Sequence, residues 1–328
     1  MGQELFRTLY DGKIMEGRDG WYFLSNDTNR VVDQICGRLP LSGVELRAWR
    51  RLLESRTAWL GRLGLPYFFL VAPNPHMLYP EKLPEGVELS DERPVAQLIS
   101  HLAESGSFAR VIYPRAEIVA ARETRAVASP NDTHWNAFGA YVAYMTLLDE
   151  IAEQVSVRRL GEDQVVFSLR RRIGDLGAKL DPPVASPQVV AHLMASAAHV
   201  VSDNQVHNRG RLVEFECTNA PSTSCLLMGD SFTYEMLPFI VESFGHTTFA
   251  QTSTFDYETV ERTRPDVVVT LMNERFMRKR PSEFTAPTMR ELAAEKVEQG
   301  FADAPHLSVL FGQDEPDRAV AGFADPAL

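Results

Sequence analysis

Basic charge, cysteine and long apolar runs are all scarce in this chain of 328 residues, and each shortage closes off a class of function. Lysine and arginine number 33 against 44 aspartates and glutamates, a formal net charge of −11. Phosphate backbones are gripped by a concentrated basic face, so nucleic acid is excluded as the main partner. No apolar stretch approaches the roughly 20 residues that cross a bilayer, so no transmembrane segment is expected. The opening MGQELFRTLYDGK has no apolar signal core, so the expectation is either a cytoplasmic protein or a leader outside this chain. Three cysteines, Cys36, Cys217 and Cys225, are too few and too scattered for a disulfide framework or a zinc site. Cys217 and Cys225 are close enough in sequence to pair locally, although three small buried apolar residues is the plainer reading.

What is present is an ordinary globular balance, 45% hydrophobic and 23% charged, in a chain long enough for a sizeable core. Five segments read as buried strands: PYFFLVAPNP (66–75), ARVIYP (109–114), SCLLMGDS (224–231), TTFAQT (247–252) and PDVVVTLMNE (265–274). Their apolar character is continuous rather than alternating, which fits a parallel sheet covered on both faces. Helical spacing joins Leu46, Trp49, Leu53, Leu60 and Leu63, with Gly64 as the stop. The same spacing joins Phe138, Val142, Met145, Leu148 and Ala152. Strands alternating with helices predict an α/β fold of the doubly wound kind. Residues 156–216 break the pattern with Arg170, Arg171 and Arg172, the segment DPPVASP and short alternating stretches. We read them as an insertion of hairpins and loops in a single domain, the core being about 17–155 and 217–312. The arginines suit a solvated face, or more sharply a site for an anionic chain.

Two segments carry chemistry. In LLMGDSFT a buried strand ends in Gly229, Asp230 and Ser231 before a segment able to start a helix. A serine there presents its hydroxyl and its backbone N–H at the carboxyl edge of the sheet, where ligands of open α/β folds bind. Asp230 and Ser231 as mere helix caps fit the tripeptide equally well. In SPNDTHWN, Asp132 and His134 are spaced so that a carboxylate fixes one imidazole tautomer, the support a serine base requires. A helix cap followed by a packed histidine and tryptophan is the competing reading. No second histidine or carboxylate stands at ligand spacing nearby, so no metal is expected. Among the other histidines only His76, in the strand-end PNPH, invites attention. Asn273, at the end of the PDVVV strand, offers a second oxyanion donor, and Glu274–Arg275 beside it suits an ion pair. Together, Ser231, His134 and Asp132 supply nucleophile, base and orienter for acyl transfer.

These residues resemble the SGNH (GDSL-type) hydrolases. Asp132 and His134 precede Ser231 and are separated by one residue, which resembles the AlgX/AlgJ-like alginate O-acetyltransferase branch, whose SGNH-like core is circularly permuted. GRDGWYFL (17–24), LYPEKLP (78–84), DTHWNAFGAY (132–141), GDL (174–176) and RPDVVVTLMNERF are similar to its blocks, in the same order. The resemblance implies an SGNH-like α/β fold and a nucleophile at Ser231, a base at His134 and an orienter at Asp132. It implies O-acetylation of a polysaccharide or other glycan, with no cofactor. It also implies an acyl donor supplied through a membrane-bound O-acyltransferase partner, and a periplasmic or envelope setting. A carbohydrate esterase with the same triad and a non-catalytic glycan-binding protein are the alternatives. Trp135 and Tyr234, next to the triad, are candidates for stacking on sugar, Arg275 for a further substrate contact, and Trp21 and Tyr22 for core. No leader or anchor is visible, and the about 50 residues after Arg275 are too few for an added carbohydrate-binding module.

Overall fold

The computed structural model describes residues 6–25, 27–283 and 285–300. A small antiparallel meander comes first: β1 (Thr8–Leu9), β2 (Ile14–Glu16) and β3 (Tyr22–Leu24). Helices α1 (Val31–Ile35) and α2 (Gly43–Arg62) lead into β4 (Tyr67–Ala72). Helices α3 (Pro75–Leu78), α4 (Pro94–Glu104), α5 (Arg115–Ala121) and α6 (Ala137–Ala152) follow. Then come the strands β5 (Val165–Ile173), β6 (Ala185–Leu193), β7 (Ala198–Asp203) and β8 (Leu212–Cys217). The last part alternates β9 (Ser224–Gly229), α7 (Thr233–Ile240), β10 (His246–Gln251), α8 (Tyr257–Thr263), β11 (Val267–Asn273) and α9 (Met289–Glu298).

Six strands form the central sheet in the order β4-β11-β9-β10-β8-β7. β4, β11, β9 and β10 are parallel, so their carboxyl ends share one edge; Asn273 pairs with Ala72, and Leu271 with Gly229. Every residue of β11 is buried, as its unbroken VVVTLMN run requires of a strand covered on both faces. On one face Tyr144 and Leu147 of α6 and Phe239 of α7 pack over Leu70, Leu227 and Val269. On the other, Trp49 and Leu53 of α2 and Leu98 of α4 pack over Phe69 and Val71. Each such fully buried side chain contributes about 1.5–3 kcal/mol. The ends of α2 follow its sequence: Ser42 and Glu45 close a reciprocal cap, and Gly64 takes the left-handed φ of 74° just past the last turn.

Two expectations change. The segment 109–114 is no strand: it touches the sheet through one bridge, Leu70 to Ile112, before Pro114 opens α5. Proline has no N–H to extend a ladder, and the pairing stops at two hydrogen bonds, Val71 N to Ile112 O and Ile112 N to Phe69 O. The region 156–216 is not wholly an appendage either. β5 and β6 form a separate hairpin, but β8 pairs antiparallel with β10 and β7 with β8, extending the central sheet. The alternating burial of LVEFEC, which suggested a peripheral hairpin, comes from a strand near the rim of that sheet. Of the expected core, residues 301–312 lie outside the described residues. All three cysteines are free, so Cys217 and Cys225 do not pair.

Candidate active site

β9 ends at Gly229, and the turn Asp230–Ser231–Phe232 carries the chain into α7. Asp230 is the clamp of that turn: Oδ1 accepts the Phe232 N–H at 2.9 Å and Oδ2 accepts the Asn273 N–H at 2.7 Å. It thereby ties the end of β9 to the end of β11. Ser231 is not a cap. Its Oγ lies 2.9 Å from His134 Nε2, across 97 residues of sequence. On the far side of the ring, His134 Nδ1 is 2.8 Å from Asp132 Oδ1, which also accepts the His134 backbone N–H at 2.9 Å. The carboxylate accepts from Nδ1–H in the neutral ring, which leaves Nε2 as the acceptor facing the serine hydroxyl. The Ser231 N–H makes no hydrogen bond among the described residues, so it is available to an oxyanion.

The loop carrying Asp132 and His134 is stitched down from three sides. Pro130 O accepts the Tyr22 N–H at 2.7 Å, which puts the GRDGWYFL segment beneath the site. Asn131 O accepts the N–H groups of Leu176 and Gly177, and Asn131 Nδ2 donates to Val184 O at 2.6 Å. Asp175 accepts from Thr133 twice, from N at 2.7 Å and from Oγ1 at 2.5 Å. Gly174 is required by this fit, because a Cβ there would collide with Asn131 O and with Asp132 Cβ. Sequence reasoning gave Asp175 no role; its only signal was the GDL match to the family. The supports at Asn131 and Asp175 come from the turn that closes the β5–β6 hairpin, which carries the exposed Arg170, Arg171 and Arg172 on its first strand.

Burial works to lower the His134 pKa, but the hydrogen bond and charge of Asp132, with the charge of Asp175, outweigh it and raise the pKa above the ordinary value. Arg275 opposes that rise. Burial raises the Asp132 carboxyl, and the bonds from His134 more than reverse this, so it stays a carboxylate. His76 is different: burial pulls it down to about 4, and its Nε2 sits 2.9 Å from Leu24 O. It is a neutral packing residue behind the site.

The other residues singled out in the sequence are placed as follows. Trp135 is 0% exposed, and its Nε1 donates to Phe232 O at 2.9 Å, so it pins the triad loop to the nucleophile turn and offers no face to a sugar. Asn273 is also 0% exposed; its Nδ2 donates to Ala72 O and its Oδ1 accepts from Arg275 N. The amide expected as a second oxyanion donor holds the strand ends instead. Trp21 is core, 4.3 Å from the Tyr79 ring. Tyr234 stays half-buried, with its hydroxyl on Gln251 Oε1 at 2.5 Å. Glu274 does not pair with Arg275; it accepts from Asn74 N and Tyr113 OH. The Arg275 guanidinium lies over Phe232 and Phe276 at 5.4 and 5.1 Å. Asp132, His134 and Asp175 place donor atoms within 4.8 Å of one another. Those donors already serve each other and Thr133, so the arrangement suits a proton relay better than a metal.

No helix of the described residues is long and apolar enough to cross a membrane. Comparison with known proteins matches residues 14–244 to the family described as SGNH hydrolase-like domain, acetyltransferase AlgX. No curated protein matches the chain. Among solved structures, it is similar to Bacillus cereus PatB1, with a TM-score of 0.61 and 13% identity over 79% of this chain and 95% of that one. The O-acetyltransferase domain of Pseudomonas putida AlgJ gives 0.53 and 16% over 86% and 99%. Pseudomonas aeruginosa AlgX gives 0.51 and 15% over 84% and 66%. At these identities the structures establish the shared fold.

Proposed function

Because the chain belongs to the SGNH hydrolase-like family of the acetyltransferase AlgX, we propose that it is an O-acetyltransferase whose acyl-enzyme forms on Ser231. The observation that carries the reading is the continuous relay from Asp132 through His134 to Ser231, with steps of 2.8 and 2.9 Å. Ser231 Oγ attacks the carbonyl carbon of an acyl donor as its proton passes to His134 Nε2. Asp132 steadies the imidazolium, and the Ser231 N–H receives the oxyanion. Collapse expels the leaving group, which takes the proton from His134, and leaves the acetyl on Oγ. A hydroxyl of a glycan acceptor then gives its proton to Nε2 while its oxygen attacks the acyl carbon, and the proton returns to Ser231. No metal or organic cofactor enters these steps. The acceptor is a polysaccharide, and the donor arrives through a membrane-bound acyltransferase partner.

The test is an activated acetyl ester, followed for turnover and for an acetyl adduct on the Ser231 peptide by mass spectrometry. Wild type gives the adduct, and added oligosaccharide accelerates its loss with transfer to sugar. Ser231→Ala abolishes the adduct, and His134→Ala is nearly as severe; the double variant costs little more, since the two act in one proton chain. An adduct persisting in Ser231→Ala would overturn the nucleophile. Release to water that oligosaccharide leaves unchanged makes the protein an esterase, and no adduct with any donor makes it a glycan-binding module.

A further inference from the structure

Beside Arg275 a small, partly open cavity of about 10 Å³ is lined by Val31, Gln34 and Ile35 of α1, Asn74, Arg93 to Val95 at the start of α4, and Glu274–Arg275. That is space for a single atom-sized ligand. Three of these residues each hold a buried nitrogen with no hydrogen-bond partner: Asn74 Nδ2, Arg93 Nε and Arg275 Nη1. Asn74 itself is only 1% exposed. A buried unsatisfied donor costs about 1–3 kcal/mol, and three around one small space call for an acceptor.

The start of α4 adds an independent feature. This helix of 11 residues has Arg93 at its N-cap with no side-chain capping bond, and no acidic residue in its first turn. Pro94 brings no N–H to the first position, so it is the positive dipole end that meets the cavity, with the nearby Glu92 carboxylate held on Gln97 Nε2. The local charge is positive as well. Arg93 and Arg275 line the space, while Glu274, the carboxylate among the lining residues, already accepts from Asn74 N and Tyr113 OH. Arg93 Nη1 donates to Ser90 O at 2.8 Å, and the carboxylate nearest it is the wholly exposed Asp91, at 3.7 Å; no carboxylate pairs with Arg275 among the described residues. Gln34 turns its amide donors elsewhere, to Asn29 O and Arg275 O.

We propose that this cavity is a halide site, holding one chloride-sized anion between Asn74, Arg93, Arg275 and the N-terminus of α4. A water molecule has two lone pairs and two hydrogens of its own to place; a spherical anion accepts from all three nitrogens and offsets the excess charge. Its position beside Arg275 puts the anion against a cation that lowers the pKa of His134.

The test is anomalous diffraction from crystals soaked in sodium bromide, with long-wavelength data from crystals grown in sodium chloride. A halide peak in the cavity, bounded by Asn74, Arg93 and Arg275, is expected in at least one; a cavity without one in both overturns the site. In solution, sodium chloride raises the Tm of wild type relative to sodium gluconate at equal ionic strength, by about 2 °C near tenfold saturation. Asn74→Leu, which fills the space and removes a donor, abolishes that difference. An equal chloride response in both proteins overturns the proposal, and the diffraction result decides should the variant fail to fold.

Discussion

Replacing Asp175 separates what holds the triad loop from what charges it. Its carboxylate accepts from Thr133 N at 2.7 Å and from Thr133 Oγ1 at 2.5 Å, and Thr133 is 5% exposed. Hydrogen bonds to a charged acceptor contribute about 1.5–3 kcal/mol each. Asp175 is half-buried, so solvent screens part of this, and Asp175→Ala is expected to cost roughly 3 kcal/mol in total. The loop that loosens carries Asp132 and His134, and a displacement near 1 Å costs on the order of 10²-fold in turnover. Asp175→Asn keeps an oxygen for the Thr133 N–H, so stability and turnover largely return. The negative charge does not. Asp175 raises the His134 pKa, so both variants lower it. His134 works as a base only when neutral, and activity therefore sets in at lower pH in both. Urea melts give the first effect; rates of acetyl-ester cleavage between about pH 5 and 8 give the second. An acidic limb that stays put or moves up in Asp175→Asn, or an Asn variant as unstable as Ala, would refute the reasoning.

Arg275→Leu has the opposite sign: it removes a charge that lowers the His134 pKa, so the acidic limb moves to higher pH, read in the same pH–rate series. Asn273→Ala leaves Ala72 O without its donor in a fully buried setting and is expected to lose about 2 kcal/mol in thermal melts. Its kcat stays within about fivefold; a fall of 10²-fold or more would restore Asn273 as an oxyanion donor. Trp135→Phe leaves Phe232 O unpaired, costing about 1–2 kcal/mol, with no selective loss of affinity for oligosaccharide in a binding titration. Gly174→Ala forces Asn131 and Asp132 aside, so turnover falls with stability; a variant as active as wild type would show that the turn relaxes freely.

Much of this protein was legible one-dimensionally because its signals are local. Continuous runs such as YFFLVA and VVVTLMN demand a doubly covered parallel sheet. Gly64 marks the end of α2 with chemistry that acts within one turn. Asp132 and His134 are two residues apart, so their bond is a property of the loop itself. Ser231 at a strand end is equally local, yet its 2.9 Å contact with His134 spans 97 residues and exists only because the sheet and α6 bring the two loops together. Tertiary structure alone decided the supporting cast. Trp135 and Asn273 have the composition of a sugar platform and an oxyanion donor, and became buried clamps because Phe232 O and Ala72 O needed donors. Asp175 carries no local signal of its role; it acquired one when the β5–β6 turn folded onto Thr133. The segments β7 and β8 read as an insertion because edge strands alternate like hairpins, and only a free edge on β10 made them part of the sheet. Periodicity and turn chemistry are written along the chain, whereas the partner that satisfies a buried polar atom is chosen by packing, across distances that sequence does not record.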